Sequence, residues 1–104
     1  MDNERVQFLR DSISASPGDT FARYALALEL TRGGQSTEAW EHFQYLLDHH
    51  ADYAPTYYQA GNLLANQGRS EEARAVFLRG IEVTRRLGQK HAESELRAAL
   101  EAVE

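Results

Sequence analysis

The chain has 104 residues, of which 42% are hydrophobic and 26% charged, a composition typical of a single folded domain. Its net charge of -5 argues against binding to nucleic-acid phosphates, which requires a concentrated basic surface. The absence of cysteine excludes a disulfide framework and a thiolate metal site. No segment approaches the roughly 20 apolar residues of a membrane span, and the first residues lack the pattern of a signal peptide. We therefore expect a cytoplasmic protein that binds neither nucleic acid nor a membrane.

An apolar stripe at helical spacing predicts the first helix over residues 3–15. The stripe consists of Val6, Leu9 and Ile13. The next helix includes residues 21–30, which are apolar on nearly every side. A helix that packs on one side only does not have this pattern. Two interpretations therefore remain open for Phe21 and Leu28: they pack against a neighbouring helix, or they contact a partner.

The pair Gly33 and Gly34 predicts a turn after this helix, and an amphipathic helix follows the turn. The inner face of that helix consists of Ala39, Phe43, Leu46 and Leu47. The same plan then returns at an offset of 34 residues, which indicates a structural repeat. The matching positions include the turn glycine, the helix start, and small and aromatic residues of the core. The pairs are Tyr24 with Tyr58, Leu30 with Leu64, Gly34 with Gly68, Ser36 with Ser70, Glu38 with Glu72, Ala39 with Ala73, and Phe43 with Phe77.

The second unit can be divided into two helices by its turn signal. Gly68 ends the first of them because glycine adopts a left-handed conformation without steric cost. Ser70 is the predicted N-cap of the second helix, and Glu71 and Glu72 suit the positive end of its dipole. The apolar face of the first helix consists of Tyr57, Ala60, Gly61 and Leu64. That of the second consists of Ala73, Val76, Phe77, Gly80, Ile81 and Thr84.

A last helix is predicted over residues 89–103, after a break at Gly88. Its apolar face consists of Ala92, Leu96, Ala99, Leu100 and Val103. Glutamates occupy much of the remaining surface. One apolar side and one charged side are typical of a helix that caps the end of a repeat array.

Both units resemble the tetratricopeptide repeat, a 34-residue helix pair with the pattern W-x2-L-G-x2-Y, then A-x3-F, then P. The second unit reads Tyr57-x2-Ala60-Gly61-x2-Leu64, then Ala73-x3-Phe77. The first reads Arg23-x2-Leu26-Ala27-x2-Leu30, then Ala39-x3-Phe43. Arg23 departs from the pattern because it replaces the large aromatic residue, and the closing proline is missing at Ala51 and Arg85. The resemblance covers residues 20–87 directly.

This resemblance implies an all-α fold, a right-handed superhelical stack of antiparallel helix pairs with capping helices at both ends. Residues 1–104 would then form a single domain of the tetratricopeptide type. Its parts would be an N-terminal helix at 3–15, a first repeat at 20–53, a second repeat at 54–87 and a C-terminal capping helix at 89–103. The chain is similar to short bacterial proteins that consist of little more than two such repeats, which suggests a complete small protein.

Catalytic and metal-binding patterns are weak in this sequence. His42 and His49 lie two helical turns apart, about 10 Å along the axis, too far to share one metal ion. His49 and His50 fit the end of a helix, where positive charge is favourable. No nucleophile–base pair or phosphate-binding loop is present. We therefore expect no enzymatic activity, no metal and no cofactor.

The resemblance also implies a binding face, because the first helix of each pair lines the concave side of a tetratricopeptide stack. The predicted peptide-binding residues are Phe21, Tyr24, Leu28 and Arg32 in the first repeat, and Tyr58, Gln59, Asn62 and Asn66 in the second. Ala25 and Pro55 are also predicted to face the concave side. Tyr24 and Tyr58 are favoured because they are equivalent and offer rigid amphipathic contact area. Some family members hold a ligand carboxylate with lysine, arginine and asparagine here. Only Asn62 matches that set, so we do not expect this binding mode.

The predicted function is a non-catalytic scaffold that binds a peptide or protein partner through this face. The alternative is a structural module that self-associates through the same apolar face or a terminal helix. The protein would be a monomer in the first case and a weak homodimer in the second.

Overall fold

The computed structural model describes residues 3–104, which form six α-helices joined by short turns. The helices are α1 (Glu4–Ala15), α2 (Thr20–Arg32), α3 (Ser36–His49), α4 (Pro55–Asn66), α5 (Ser70–Leu87) and α6 (Lys90–Val103). The predicted all-α fold of sequential helix pairs is confirmed. Across the described residues, no helix has both the length and the apolar character that crossing a membrane requires. The chain divides into two compact units, with the boundary after His50.

Side-chain caps start the first two helices. The Asn3 side chain accepts a hydrogen bond from the Val6 amide at 2.8 Å, and Asp19 accepts one from the Ala22 amide at 3.0 Å. The predicted N-cap at Ser70 is wrong, because α5 begins at Ser70 itself and no side chain caps it. The Arg69 carbonyl already accepts a hydrogen bond from the Ala73 amide at 2.9 Å, so the N-cap residue is Arg69. The acidic first turn of α5 is as predicted.

Three turns are closed in the same way by a glycine with positive φ. Gly34, Gly68 and Gly88 have φ values of 81°, 77° and 74°. In each turn, the amide after the glycine donates to a carbonyl five residues back, at 2.9 Å. Residues with a Cβ atom rarely adopt this conformation, so glycine is required by the backbone at all three positions. The predicted breaks at Gly68 and Gly88 are confirmed.

In the first unit, α2 packs against both α1 and α3. Val6 and Leu9 of the predicted stripe are buried, and Ile13 is half-buried. The buried residues of α2 and α3 include the predicted set, Leu26, Ala27, Leu30, Ala39, Phe43, Leu46 and Leu47. The helical spacing of these apolar residues is therefore the pattern that forms the core.

In the second unit, α4 and α5 approach so closely that two glycines are needed at the crossing. A Cβ atom on Gly61 would lie 2.2 Å from the Phe77 ring. A Cβ atom on Gly80 would lie 2.5 Å from the Tyr57 Cβ atom. Tyr57 is fully buried, and its hydroxyl donates to the Ala51 carbonyl at 2.7 Å. Small residues on one helix thus accept large aromatic residues from the other.

The last helix, α6, packs against α5 and also against α4. Leu96 is the buried residue at the centre of its apolar face. The other residues of that face, Ala92, Ala99, Leu100 and Val103, are half-buried. One face of α6 therefore covers the α4–α5 pair.

The departure from the repeat pattern at Arg23 has a structural compensation. The Arg23 guanidinium lies 3.8 Å from the centre of the Tyr45 ring. At the equivalent positions of the second unit, the Arg79 guanidinium lies 5.8 Å from the centre of the Tyr57 ring. The arginine and the tyrosine have therefore exchanged helices between the two units. The cation–π contact is preserved in each unit.

Candidate functional site

A groove of about 700 Å³ lies in the second unit, between α4 and α6. From α4 and the start of α5, it is lined by Tyr58, Asn62, Ala65, Asn66 and Ser70. From α6 and the residue after it, it is lined by Glu95, Ala98, Ala99, Ala102, Val103 and Glu104. Both walls are helical, so the side chains that face the groove are held on rigid elements.

The α4 wall presents polar side chains because its apolar residues are used elsewhere. Tyr57, Gly61 and Leu64 face the core, so the opposite side of the helix is left to Tyr58, Asn62 and Asn66. These three residues recur at intervals of four, which places them along one face of the helix. Tyr58 is 39% exposed and is one of the few large hydrophobic residues with this exposure. The α4 wall is therefore aromatic at one end and lined with amides toward the other.

The α6 wall combines small apolar residues with acidic ones. Three alanines of this wall have short side chains, which leave the groove open beside α4. Glu95 and Glu104 are the charged residues among those that line the groove. Arg97, on the same helix, lies outside the lining and pairs with Glu93 at 2.8 Å. The groove therefore has an acidic side along α6 and a neutral polar side along α4.

A second cluster of polar residues lies in the first unit, around His42. The Arg10 guanidinium donates two hydrogen bonds to the Glu38 carboxylate, and Glu38 lies 3.7 Å from His42 Nε2. On its other side, His42 Nδ1 lies 3.2 Å from an Arg23 guanidinium nitrogen. Since the guanidinium can only donate, Nδ1 accepts and the ring is neutral. No group of three histidine or acidic residues suited to a metal ion occurs among residues 3–104.

The pKa values of Glu38 and His42 in this cluster are both lowered. The hydrogen bonds from Arg10 lower the pKa of Glu38 below 4.5. Burial, followed by the positive charge of Arg23, lowers the pKa of His42 below 6.5. Protonation of His42 would place a proton against the Arg23 guanidinium. The contact between α2 and α3 therefore depends on a neutral His42.

We predict that this contact makes the stability of the protein depend on pH. Because the pKa of His42 is lower in the folded chain than in the unfolded one, the unfolded chain binds more protons below pH 6.5. The contribution of His42 is thus complete above pH 6.5 and falls as the pH drops toward the folded pKa. Urea unfolding at pH 7.5 and 5.5 measures this loss. It should be smaller in His42→Gln than in the wild-type protein.

The control for this experiment is His91→Gln, which removes an exposed histidine and leaves the cluster around His42 intact. This variant should keep the pH dependence of the wild-type protein. Equal pH dependence in His42→Gln and the wild type would contradict the assignment of the effect to His42. Arg10, Arg23, Glu38 and Glu41, which surround His42, are unchanged in both variants.

Comparisons with solved structures decide the family. One of them is the solution structure of a tetratricopeptide repeat domain protein from Salinibacter ruber. Its sequence is 36% identical to this chain, and the two structures have a TM-score of 0.81. The match covers 86% of this chain and 90% of that protein. The chain belongs to the tetratricopeptide repeat family. This family generally mediates protein–protein interactions and is generally non-catalytic.

Two further structures agree with this assignment. A crystal structure of a tetratricopeptide repeat domain protein from Salinibacter ruber is 35% identical, with a TM-score of 0.78, and the match covers 82% of this chain and 94% of that one. The solution structure of a protein from Bordetella parapertussis matches with a TM-score of 0.82 and 20% sequence identity. The match covers 99% of this chain and 89% of that protein, and at this identity it supports the fold alone. No protein-family model and no curated protein matches the chain.

The tetratricopeptide register places the predicted binding residues on α2 and α4. Of those on α4, Tyr58, Asn62 and Asn66 line the groove, whereas Gln59 is half-buried outside its lining. Those on α2 belong to the first unit. Phe21 is 66% exposed, Tyr24 and Leu28 are half-buried, and the exposed Arg32 pairs with Glu29 at 2.8 Å. The expectation that Ala25 is open to a partner is wrong, because Ala25 is buried.

The α6 wall of the groove is not predicted from the sequence. The pattern of this helix predicts a cap with its charged side in solvent. In the tetratricopeptide register, however, α6 follows a complete helix pair and takes the place of the first helix of a further repeat. That position, together with Ala98 and Ala102 outside the predicted apolar face, was the signal that the sequence offered.

Proposed function

We propose that this protein is a non-catalytic interaction module that binds a peptide segment of a protein partner. In the second unit, the segment would bind in the groove between α4 and α6. The observation that carries the proposal is that Tyr58, Asn62 and Asn66 line a common groove. A half-exposed aromatic ring beside polar side chains is typical of protein-binding surfaces. The tetratricopeptide fold supports the same general role.

The spacing of these side chains suits an extended peptide. Residues four apart on a helix are separated by about 6 Å along its axis. Alternate residues of an extended chain, which face the same side, are separated by about 6.6 Å. Asn62 and Asn66 can therefore meet successive backbone groups on one side of a bound segment. Amide side chains both donate and accept hydrogen bonds, so they suit a peptide backbone of varied sequence.

In the first unit, we include the equivalent residues of α2 in the proposed binding set. Tyr24 is the counterpart of Tyr58 at the 34-residue offset, and Leu28 corresponds to Asn62. Phe21 has the largest exposed apolar side chain of this helix, and Arg32 lies at its C-terminal end. These residues form the part of the proposed binding set that lies in the first unit.

The test begins with a randomised decapeptide library, displayed on phage and selected on the full chain. Binding of the selected peptides is then measured with the double variant Tyr58→Ala/Asn62→Ala. We expect an affinity loss of at least about 2 kcal/mol, the scale of an interface hot spot. Since both residues are at least partly exposed, the urea midpoint should change little.

The matched control is Gln59→Ala, which shortens an amide side chain on the same helix but outside the groove. This variant should bind the selected peptides like the wild type. If the double variant folds and retains full affinity, the peptides bind elsewhere and the groove proposal is wrong.

A second candidate is self-association, which is favoured by two exposed phenylalanines of the first unit. Phe8 of α1 and Phe21 of α2 are each 66% exposed, which is unusual for such large apolar side chains. Light scattering over a range of concentrations distinguishes the candidates. A dimer that dissociates in Phe8→Ser would favour a structural module, whereas a monomer at all concentrations supports peptide binding.

A further inference from the structure

We infer that the α4–α6 groove selects peptide segments that carry lysine or arginine side chains. This inference rests on the proposed function, because it concerns what the same groove binds. Its starting point is the charge of the lining. The groove has two carboxylates, Glu95 and Glu104, and the side chains of its α4 wall are neutral. A cationic side chain would gain attraction from α6, whereas an acidic peptide would meet like charge.

The cations of α6 do not neutralise the groove, because Lys90, His91 and Arg97 all lie outside its lining. Arg97 is held by Glu93, with hydrogen bonds of 2.8 and 3.1 Å, and neither residue lines the groove. His91 Nε2 lies 3.4 Å from Glu95. His91 is highly exposed and one helical turn from that carboxylate, so an incoming cation can displace it. The acidic side of the groove therefore remains open to an ammonium or guanidinium group.

The shape of the groove fits the stems of these side chains. Ala98 and Ala102 line it next to the acidic residues, so an aliphatic stem can lie across an apolar surface. Its charged end can then reach a carboxylate and form a charge-assisted hydrogen bond. On the other wall, the partly exposed Tyr58 ring offers a face for a cation–π contact. A short acidic or hydroxyl side chain would use neither feature.

The distance between the two carboxylates adds a sequence requirement. From Glu95 to Val103, the end of α6, the helix axis rises about 12 Å, and Glu104 follows directly. An extended peptide covers this distance in about four residues. Positions four apart on an extended chain also face the same side. We therefore expect two basic residues separated by three others.

The experiment uses the full chain and the same randomised decapeptide library, selected at low ionic strength. Selected peptides should be enriched in lysine or arginine at two positions four apart. The double variant Glu95→Gln/Glu104→Gln should bind them about tenfold more weakly, since each exposed ion pair contributes up to about fivefold. Raising the salt concentration should weaken wild-type binding and have less effect on the double variant.

The control is Glu101→Gln, which removes the same charge from the same helix at an exposed position outside the groove lining. It should leave the affinity within about twofold of the wild type, because exposed charges outside a contact are screened. An equal loss in Glu101→Gln and the double variant would point to the overall charge of the protein and overturn the inference.

The remaining outcomes separate the two proposals. Neutral or acidic peptides that lose affinity in Tyr58→Ala/Asn62→Ala would overturn the preference for cations and leave the groove function standing. Basic peptides that keep their affinity in that variant but lose it in Glu95→Gln/Glu104→Gln would place the contact on α6 alone and contradict the proposed function. A failure to select any peptide would overturn both.

Discussion

Replacing Gly80 by alanine is expected to lower the free energy of unfolding by about 1–3 kcal/mol. The added Cβ atom would lie 2.5 Å from the Tyr57 Cβ atom and 3.0 Å from a methyl carbon of Leu96. The Tyr57 Cβ atom is attached to the backbone of α4 and cannot move aside like the end of a long side chain. Alanine favours a helix over glycine by about 1 kcal/mol, so the steric cost must exceed this gain. Urea unfolding measures the net effect.

The matched control is Gly33→Ala at the end of α2. A Cβ atom there would lie 3.5 Å from the Glu29 carbonyl oxygen, an ordinary contact, and its φ of -81° suits any residue. Its free energy of unfolding should stay within about 0.5 kcal/mol of that of the wild type. If Gly80→Ala is as stable as this control, α4 and α5 do not approach each other as closely at Gly80 as the structure shows, and the prediction is wrong.

The features that the sequence predicted well are those imposed by the backbone. A left-handed turn requires glycine, so Gly34 and Gly68 mark the helix ends without any knowledge of the rest of the chain. Helical spacing places Phe43 and Phe77 in the core, because residues at this period share one face. The 34-residue offset repeats both signals, and this repetition made the family recognisable.

The features that the sequence did not predict depend on contacts between distant residues. Arg23 is only a departure from the repeat until Tyr45 is found beside it, on another helix. The groove likewise needs α6, which is separated from α4 by the whole of α5. The N-cap at Ser70 failed for a local reason, because serine is common both at a cap and in the first turn. Only the hydrogen bonds of the turn distinguish the two positions.

Replacing Leu96 by alanine is expected to destabilise the protein by about 2–5 kcal/mol. Leu96 is 2% exposed and is the buried residue of α6. Its side chain packs beside Gly80, so its removal would leave a cavity where α6 meets the α4–α5 pair. Gly80 has no side chain that could fill this cavity. Thermal and urea unfolding of the variant measure the loss.

The control for this prediction is Leu78→Ala, the same substitution at a position on α5 that is 48% exposed. It should cost less than about 1 kcal/mol, because little contact is lost at an exposed site. Leu96 also holds the helix that forms the acidic wall of the groove. Peptides selected on the wild-type chain should therefore bind Leu96→Ala more weakly, although Leu96 does not line the groove. Unchanged stability would show that α6 is not held by this contact. Unchanged affinity in a destabilised variant would show that the peptide contacts do not depend on the position of α6.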